Sequence, residues 1–239
     1  VYTHLLDFSG EAPLTKGAGG KYTHHRGLFI GWKDTMVDGR DYDTWHMKNC
    51  YQQMTELVRN EDGSQAMKVA WRSWRGEPFI EELRELTVSE GPHNTRIVDF
   101  RSTLTSLAGD IELKGDLQHA GMQVRMANEV VDHEDTTEFL LPEGARETDD
   151  DEVLGAWWVR GSFDVNDARW DVLHMTPPDH PTGEPIYSIR DYGRFGAFFE
   201  TTLTEAEPLA LHFRVAWTPD RLSPEACAHL YALYAAERE

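Results

Sequence analysis

Three potentially cationic side chains, His24, His25 and Arg26, stand in succession inside Tyr22-Thr23-His24-His25-Arg26-Gly27-Leu28-Phe29-Ile30-Gly31-Trp32, directly ahead of an apolar, strand-like run. Imidazoles exchange protons near neutral pH, and a guanidinium can hold a developing oxyanion. The preceding Lys16-Gly17-Ala18-Gly19-Gly20-Lys21 is a glycine-rich loop. The histidines therefore sit at a loop-to-strand junction, where a scaffold can hold polar groups over a cleft. A His-His-Arg is as readily a hydrogen-bonded strand end, so its meaning depends on what other segments bring to it. Three offer matching groups: Trp45-His46, the stretch from His119 to Glu129, and Arg190-Asp191-Tyr192-Gly193-Arg194. His25, His46, His119, Arg190, Asp191 and Tyr192 are the candidate catalytic residues. His24, Arg26, Trp45, Gln123, Arg125, Glu129, His180 and Arg194 are the candidate substrate contacts.

The familiar signatures are missing: there is no Gly-x-Gly-x-x-Gly, Walker loop, Gly-x-Ser-x-Gly or His-Glu-x-x-His. Nucleotide, dinucleotide and serine-hydrolase chemistry are accordingly disfavoured. The cofactor is unknown from sequence, and the 11 histidines show no tight ligand spacing. Were a catalytic divalent metal bound, His25, His46 and His119 are the set to hold it, since adjacent strand residues such as His24 and His25 point to opposite faces.

The elements that must position these groups read as strands. Segments 1–8, 22–32, 65–74, 79–89, 95–107, 156–163, 169–175 and 209–217 carry β-branched, aromatic or alternating patterns, although Glu-Glu-Leu-Arg-Glu-Leu within 79–89 admits a helix. Leu117 to Val131 is the most informative. Ala120, Met122, Val124 and Met126 predict a core face, and His119, Gln123, Arg125 and Glu129 an opposite polar one around Gly121. Asp38-Gly39 signals a turn, and Pro177 to Gly183 an irregular loop. Ser223 as N-cap and Pro224 at N1 predict one C-terminal helix with Cys227, Leu230, Tyr231 and Tyr234 on its apolar side. Together these predict an all-β chain, an antiparallel twisted sandwich closed by a C-terminal helix, as a single domain over residues 1–239.

Charge narrows the partners. Asp and Glu outnumber Lys and Arg by 42 to 23, a net charge of -19, so the long-range field repels phosphate backbones and anionic lipid. Nucleic acid and membrane partners are not expected. The acidic run from Glu143 to Glu152 reads as a solvated loop, lacking the ligand and glycine spacing of a calcium loop. No apolar run approaches the ~18 residues of a membrane span, so a soluble protein is expected, its compartment unknown from sequence. Cys50 and Cys227 are in no metal or redox spacing and fix neither.

The succession of Tyr-Thr-His-His-Arg-Gly-Leu-Phe at 22–29, Trp45-His46, Gly115-Asp116-Leu117-Gln118-His119-Ala120-Gly121-Met122-Gln123 with Arg125 and Asn128-Glu129, Asp179-His180-Pro181, and Arg190-Asp191-Tyr192-Gly193 resembles the uncharacterised bacterial family labelled PmoA, along the whole chain. The resemblance implies a galactose-mutarotase-like sandwich, a bacterial setting of polysaccharide degradation and sugar oxidation, and further residues ahead of Val1. It does not imply membrane oxygenase chemistry, for which a bilayer-spanning segment is needed. The expected function is a carbohydrate-active enzyme, a lyase, unusual hydrolase or epimerase, using His, Tyr and carboxylate acid-base chemistry on a sugar or oligosaccharide. The alternative is a glycan-binding module without turnover, with Trp45 stacking on the sugar.

Overall fold

The computed structural model describes residues 1–148 and 151–238. Strands are numbered in chain order. The first sheet has six strands in the spatial order β1 (Gly27–Trp32), β9 (Ala120–Arg125), β16 (Arg194–Phe198), β15 (Ile186–Arg190), β12 (Glu152–Leu154) and β11 (Arg146–Glu147). The second has eight: β10 (Glu138–Leu140), β13 (Trp158–Val165), β14 (Ala168–Met175), β18 (Leu209–Thr218), β7 (Thr95–Ser106), β6 (Pro78–Gly91), β5 (Gln65–Ser73) and β4 (Cys50–Arg59). A small third sheet orders β17 (Thr201–Leu203), β8 (Ile111–Lys114), β2 (Asp34–Val37) and β3 (Arg40–Tyr42). Every pairing between these strands is antiparallel.

Alternation explains the layers. Leu28, Ile30 and Trp32 of β1, Met122 and Val124 of β9, and Phe195 and Ala197 of β16 point the same way. They meet Val69, Trp71, Phe100, Phe163, Val172 and Phe213 of the eight-stranded sheet in one core. The other face of the eight-stranded sheet is closed by α1 (Pro224–Ala236), whose Leu230, Cys227 and Tyr234 pack on Ile97, Leu173, Met175 and Ala216. Its start is as the sequence predicts: the Ser223 hydroxyl accepts from the Ala226 amide at 3.2 Å. The chain is thus all-β with one helix of this kind among the described residues.

Several boundaries differ from the sequence reading. Residues 1–8 form only isolated bridges, Thr3 with Leu28 and Leu6 with Pro13. Segment 79–89 is strand, within β6. Segment 34–43, read only as polar with a turn, is the β2–β3 hairpin, and both turn residues, Asp38 and Gly39, have positive φ. The expected strand over 117–131 keeps its parity but ends at Arg125. Met126 and Ala127 then bond to Gly193 and Leu14, and Asn128–Thr136 is a 3-10 segment. Within the acidic run, Arg146–Glu147 and Glu152 belong to the paired strands β11 and β12 rather than to a free loop, with residues 149–150 outside the described ones.

One close approach fixes what lies over the six-stranded sheet. Gly31 faces away from the core, and a Cβ there meets the Thr44 carbonyl oxygen at 2.7 Å. The Thr44–Trp45 segment crosses directly over it, tied to Trp32 by the Thr44 and Trp45 amides at 2.9 and 3.1 Å. Gly31→Ala therefore has to push that segment off the sheet. We expect a loss of about 1–3 kcal/mol, the usual cost of overpacking, read as a lower urea midpoint with unchanged slope. An unchanged midpoint contradicts the close approach.

Candidate functional site

The outer face of the six-stranded sheet is the floor of the site. Phe29 lies opposite Gln123, and Arg125 lies opposite both Gly27 and Arg194. Arg190, in turn, pairs with Arg194. Since directly opposed residues of an antiparallel pair project to one side, Arg125, Arg194 and Arg190 form a row of three guanidinium side chains across β9, β16 and β15. Arg194 is buried and makes three contacts: Nε donates to the Tyr192 hydroxyl at 3.1 Å, Nη1 to Gln123 Oε1 at 3.0 Å, and Nη2 to Ser188 Oγ at 3.1 Å. Arg125, with an exposure of 0%, donates through Nη1 to the carbonyls of Met126 and Tyr192 and lies under the Tyr192 ring, 5.0 Å from its centroid. Burial pushes its guanidinium down to about 10.

Above this floor, loops bring four histidines together. His24 and His25 lie in the turn before β1, so strand alternation does not separate them; their ring centroids are 4.1 Å apart. His25 is 3% exposed, and its Nε2 accepts from the Trp45 indole N–H at 3.2 Å, which puts the proton on Nδ1. Trp45 itself is 1% exposed, set between Phe29, His119 and the Arg194 guanidinium. His24 is 4.4 Å from His46, and His46 is 5.0 Å from His119, centroid to centroid. A cleft of about 250 Å³ opens beside them, lined among others by Thr23, His24, Arg26, Phe29, His46 and Tyr51.

Two of these imidazoles are oriented by carboxylates. Asp43 accepts from His46 Nδ1 at 2.8 Å and from the His46 amide at 2.7 Å; Asp116 accepts from His119 Nδ1, and also from Lys33 at 2.9 Å. A carboxylate can only accept, so Nδ1 carries the proton in each ring and Nε2 presents its lone pair. Burial holds His24 down to about 4, helped by the fields of His46 and His119, and pushes His119 down despite Asp116. His25 is held well below the ordinary imidazole range by burial and then by Arg194. Burial thus keeps His24, His25 and His119 neutral beside the buried cations Arg125, Arg194 and Lys16, the last donating to the His25 carbonyl at 3.1 Å.

The structure thus gathers His24, His25, His46, His119, Trp45, Gln123, Arg125, Tyr192 and Arg194, with Arg26 at the cleft edge, where its Nε donates to the Thr23 carbonyl at 2.9 Å. Four candidates are engaged elsewhere. Arg190 ends the arginine row but pairs with Asp151 at 3.0 Å. Asp191 lies beside that same acidic hairpin, its carboxyl raised by burial and then by Asp151. Glu129 has left the sheet face with the 3-10 segment and accepts from the Asn166 amide at 3.0 Å. His180 is packed between Phe199 and Phe213. Among the described residues no group of three or more His, Cys, Asp or Glu side chains is placed to hold a metal ion. The set His25, His46 and His119 is broken because His25 is turned to Trp45; His24 takes its place beside His46.

The sequence reading passed over Asp43, Asp116, Tyr22 and Ser188. The first two carried a visible signal: Asp43-Thr44-Trp45-His46 and Asp116-Leu117-Gln118-His119 repeat one Asp-x-x-His spacing. Tyr22 stacks on Tyr192 at 4.7 Å from a left-handed backbone, φ 53°.

Because the folded state depresses the proton affinity of His24 from 6.5 to about 4, the unfolded chain takes up the proton first. This contribution to stability is complete above about pH 6.5 and is lost as the pH falls toward 4. His174 and His180, held down to about 3 and 4 by burial, act with the same sign. The His24 ring's own titration by nitrogen-15 NMR therefore isolates it: we expect charging near pH 4, and half-protonation at pH 6.5 contradicts the assignment.

None of the curated proteins matches this chain. A family model covers residues 1–232, spanning the sheet, the histidine cluster and most of the terminal helix, and the chain belongs to that family, described as Family of unknown function (DUF6807).

Proposed function

We propose that the protein is an enzyme of proton-transfer chemistry acting on a carbohydrate, with lyase, unusual hydrolase and epimerase reactions as the classes in reach. The observation that carries the reading is the pair of Asp–His units, Asp43–His46 and Asp116–His119, whose rings stand 5.0 Å apart next to the neutral His24. A base poised in this way can take the proton beside a sugar carbonyl or carboxyl while a guanidinium holds the resulting oxyanion. Tyr192, whose hydroxyl accepts from Arg194, is the second acid-base group of the cluster.

Carbohydrate is favoured by the surroundings and by the resemblance noted from the sequence. Trp74 is 66% exposed, lines a separate depression with Arg40, Tyr42 and Glu77, and packs at 5.8 Å on Tyr51 of the cleft, so an apolar sugar face has a platform next to the cleft. Trp45, which a glycan-binding module was expected to use for stacking, borders the cleft but is only 1% exposed, leaving almost no ring face for a sugar. That weakens the module reading.

The test is a screen of oxidised and uronic-acid glycosides with product detection, followed by His46→Ala and His119→Ala. Each variant is expected to cut turnover by about 10²-fold or more, the usual size for a positioned proton-transfer group. Full activity in both variants removes these residues from the chemistry; binding by the parent with no conversion returns the module reading. Trp74→Ala is expected to raise KM for oligosaccharides with little change in kcat, since such a platform binds ground and transition states alike. A fall in kcat alone contradicts that role.

A further inference from the structure

The row of arginines under the histidines is unusual for what it lacks. Like charges directly opposite one another on a sheet repel, and burying an ion without a counter-ion is among the costliest things a fold does. Arg190 has Asp151, but among the described residues no carboxylate is within ion-pair distance of Arg125 or Arg194. Every group that holds Arg194 is neutral: a phenol, an amide and a hydroxyl. The field of Glu134 reaches Arg125, yet that carboxylate pairs with Lys21 at 3.4 Å. In a chain with 42 acidic side chains against 23 basic ones, such a gap is a local feature and not a shortage.

The unused hydrogen-bonding capacity has one sign. Among the described residues Arg125 Nε and Nη2 have no acceptor, and neither does His25 Nδ1, whose proton is fixed by the Trp45 bond at the other nitrogen. All are donors. Nε and Nη2 form the side-on edge of a guanidinium, two parallel N–H groups spaced to meet both oxygens of a carboxylate.

We propose that Arg125, with Arg194 beside it, forms a buried subsite for the carboxylate of an acidic sugar, a uronate. The sugar part of this assignment rests on the proposed function; the anion part rests on the arginines alone. The carboxylate takes the free edge of Arg125, and its charge offsets the pair of guanidiniums. Arg125 is fully buried, so a ligand reaches it only when Tyr22, 39% exposed and packed on the Tyr192 ring above Arg125, moves aside. A carboxylate held here also lowers the cost of removing the proton from the adjacent sugar carbon, since the developing enediolate charge falls on the same oxygens.

Calorimetric titration of the full chain with methyl β-D-glucuronide and methyl α-D-galacturonide, against the matching methyl glucoside and galactoside, tests it. Thermal melts in sodium acetate and in phosphate at constant ionic strength run alongside, with Arg125→Met and Arg125→Lys as variants. We expect uronides to bind the parent at least ten-fold more tightly than the neutral glycosides, and both variants to lose that preference. Acetate is expected to raise the parent Tm but not that of Arg125→Met. If Arg125→Met folds poorly for want of its bonds to the Met126 and Tyr192 carbonyls, Arg125→Lys carries the comparison. Equal binding of uronide and neutral glycoside, unchanged in the variants, overturns the subsite and leaves the carbohydrate reading standing. Stabilisation by acetate that depends on Arg125, without binding of any sugar, supports the anion site and removes the sugar. Phosphate binding more tightly than every carboxylate overturns the uronate assignment in favour of a phosphorylated ligand.

Discussion

The register of β9 between β1 and β16 is the constraint on which the rest of this molecule depends. With Arg125 opposite Gly27 and Arg194, the strand sends Met122 and Val124 into the core and Gln123 and Arg125 to the outer face. A slip by one residue exchanges the two sets, burying a guanidinium in the sandwich and exposing a methionine and a valine. Core packing therefore positions the site: the apolar demand on one face of the strand determines where the polar groups of the other face stand. The glycines along that face serve the same end, because Gly31 leaves room for Thr44 and Trp45 to lie against the backbone and bring their neighbour His46 over the sheet.

Alternation made β9, β18 and the core of β7 legible from sequence, and the Ser223-Pro224 pair made α1 legible, because both signals are local. The end of β9 was not. Nothing in Met126 to Val131 announces that hydrogen bonds to Gly193 and Leu14 replace the ladder, and the misplacement of Glu129 follows from that. The histidines show the same division. Their residue types pointed to a site, but the choice between His24 and His25 was argued from strand parity, and β1 begins only at Gly27. The fate of Trp45 was decided by a backbone crossing at Gly31, a contact between separate loops and strands with no local signature. The Asp-x-x-His spacing, by contrast, was in plain view twice. Its meaning depends on a turn that lets the side chain of one residue reach the ring three positions on, which happens at both Asp43 and Asp116.

Electrostatics divides the surface from the site. The chain is strongly acidic, yet among the described residues the histidine cluster faces two guanidiniums without a carboxylate partner, and Asp43 and Asp116 are occupied in holding imidazole tautomers. Burial keeps His24, His25 and His119 uncharged rather than letting them add to the positive charge. Neutral bases next to fixed cations suit the proton abstraction proposed above. The two outer faces of the sandwich differ: one is covered by α1 with apolar contacts, the other carries the histidine and arginine cluster.

Tyr22 occupies a backbone conformation, φ 53°, in which glycine is the comfortable residue, and it does so two positions after Gly19-Gly20, which use positive φ freely. Holding a bulky side chain there costs on the order of 1 kcal/mol. A loop that already contains glycines had a strain-free alternative at this position, so the presence of a tyrosine sets a lower bound on what its ring contributes. Giving up the tilted packing on Tyr192, 4.7 Å away, would let the backbone leave this conformation.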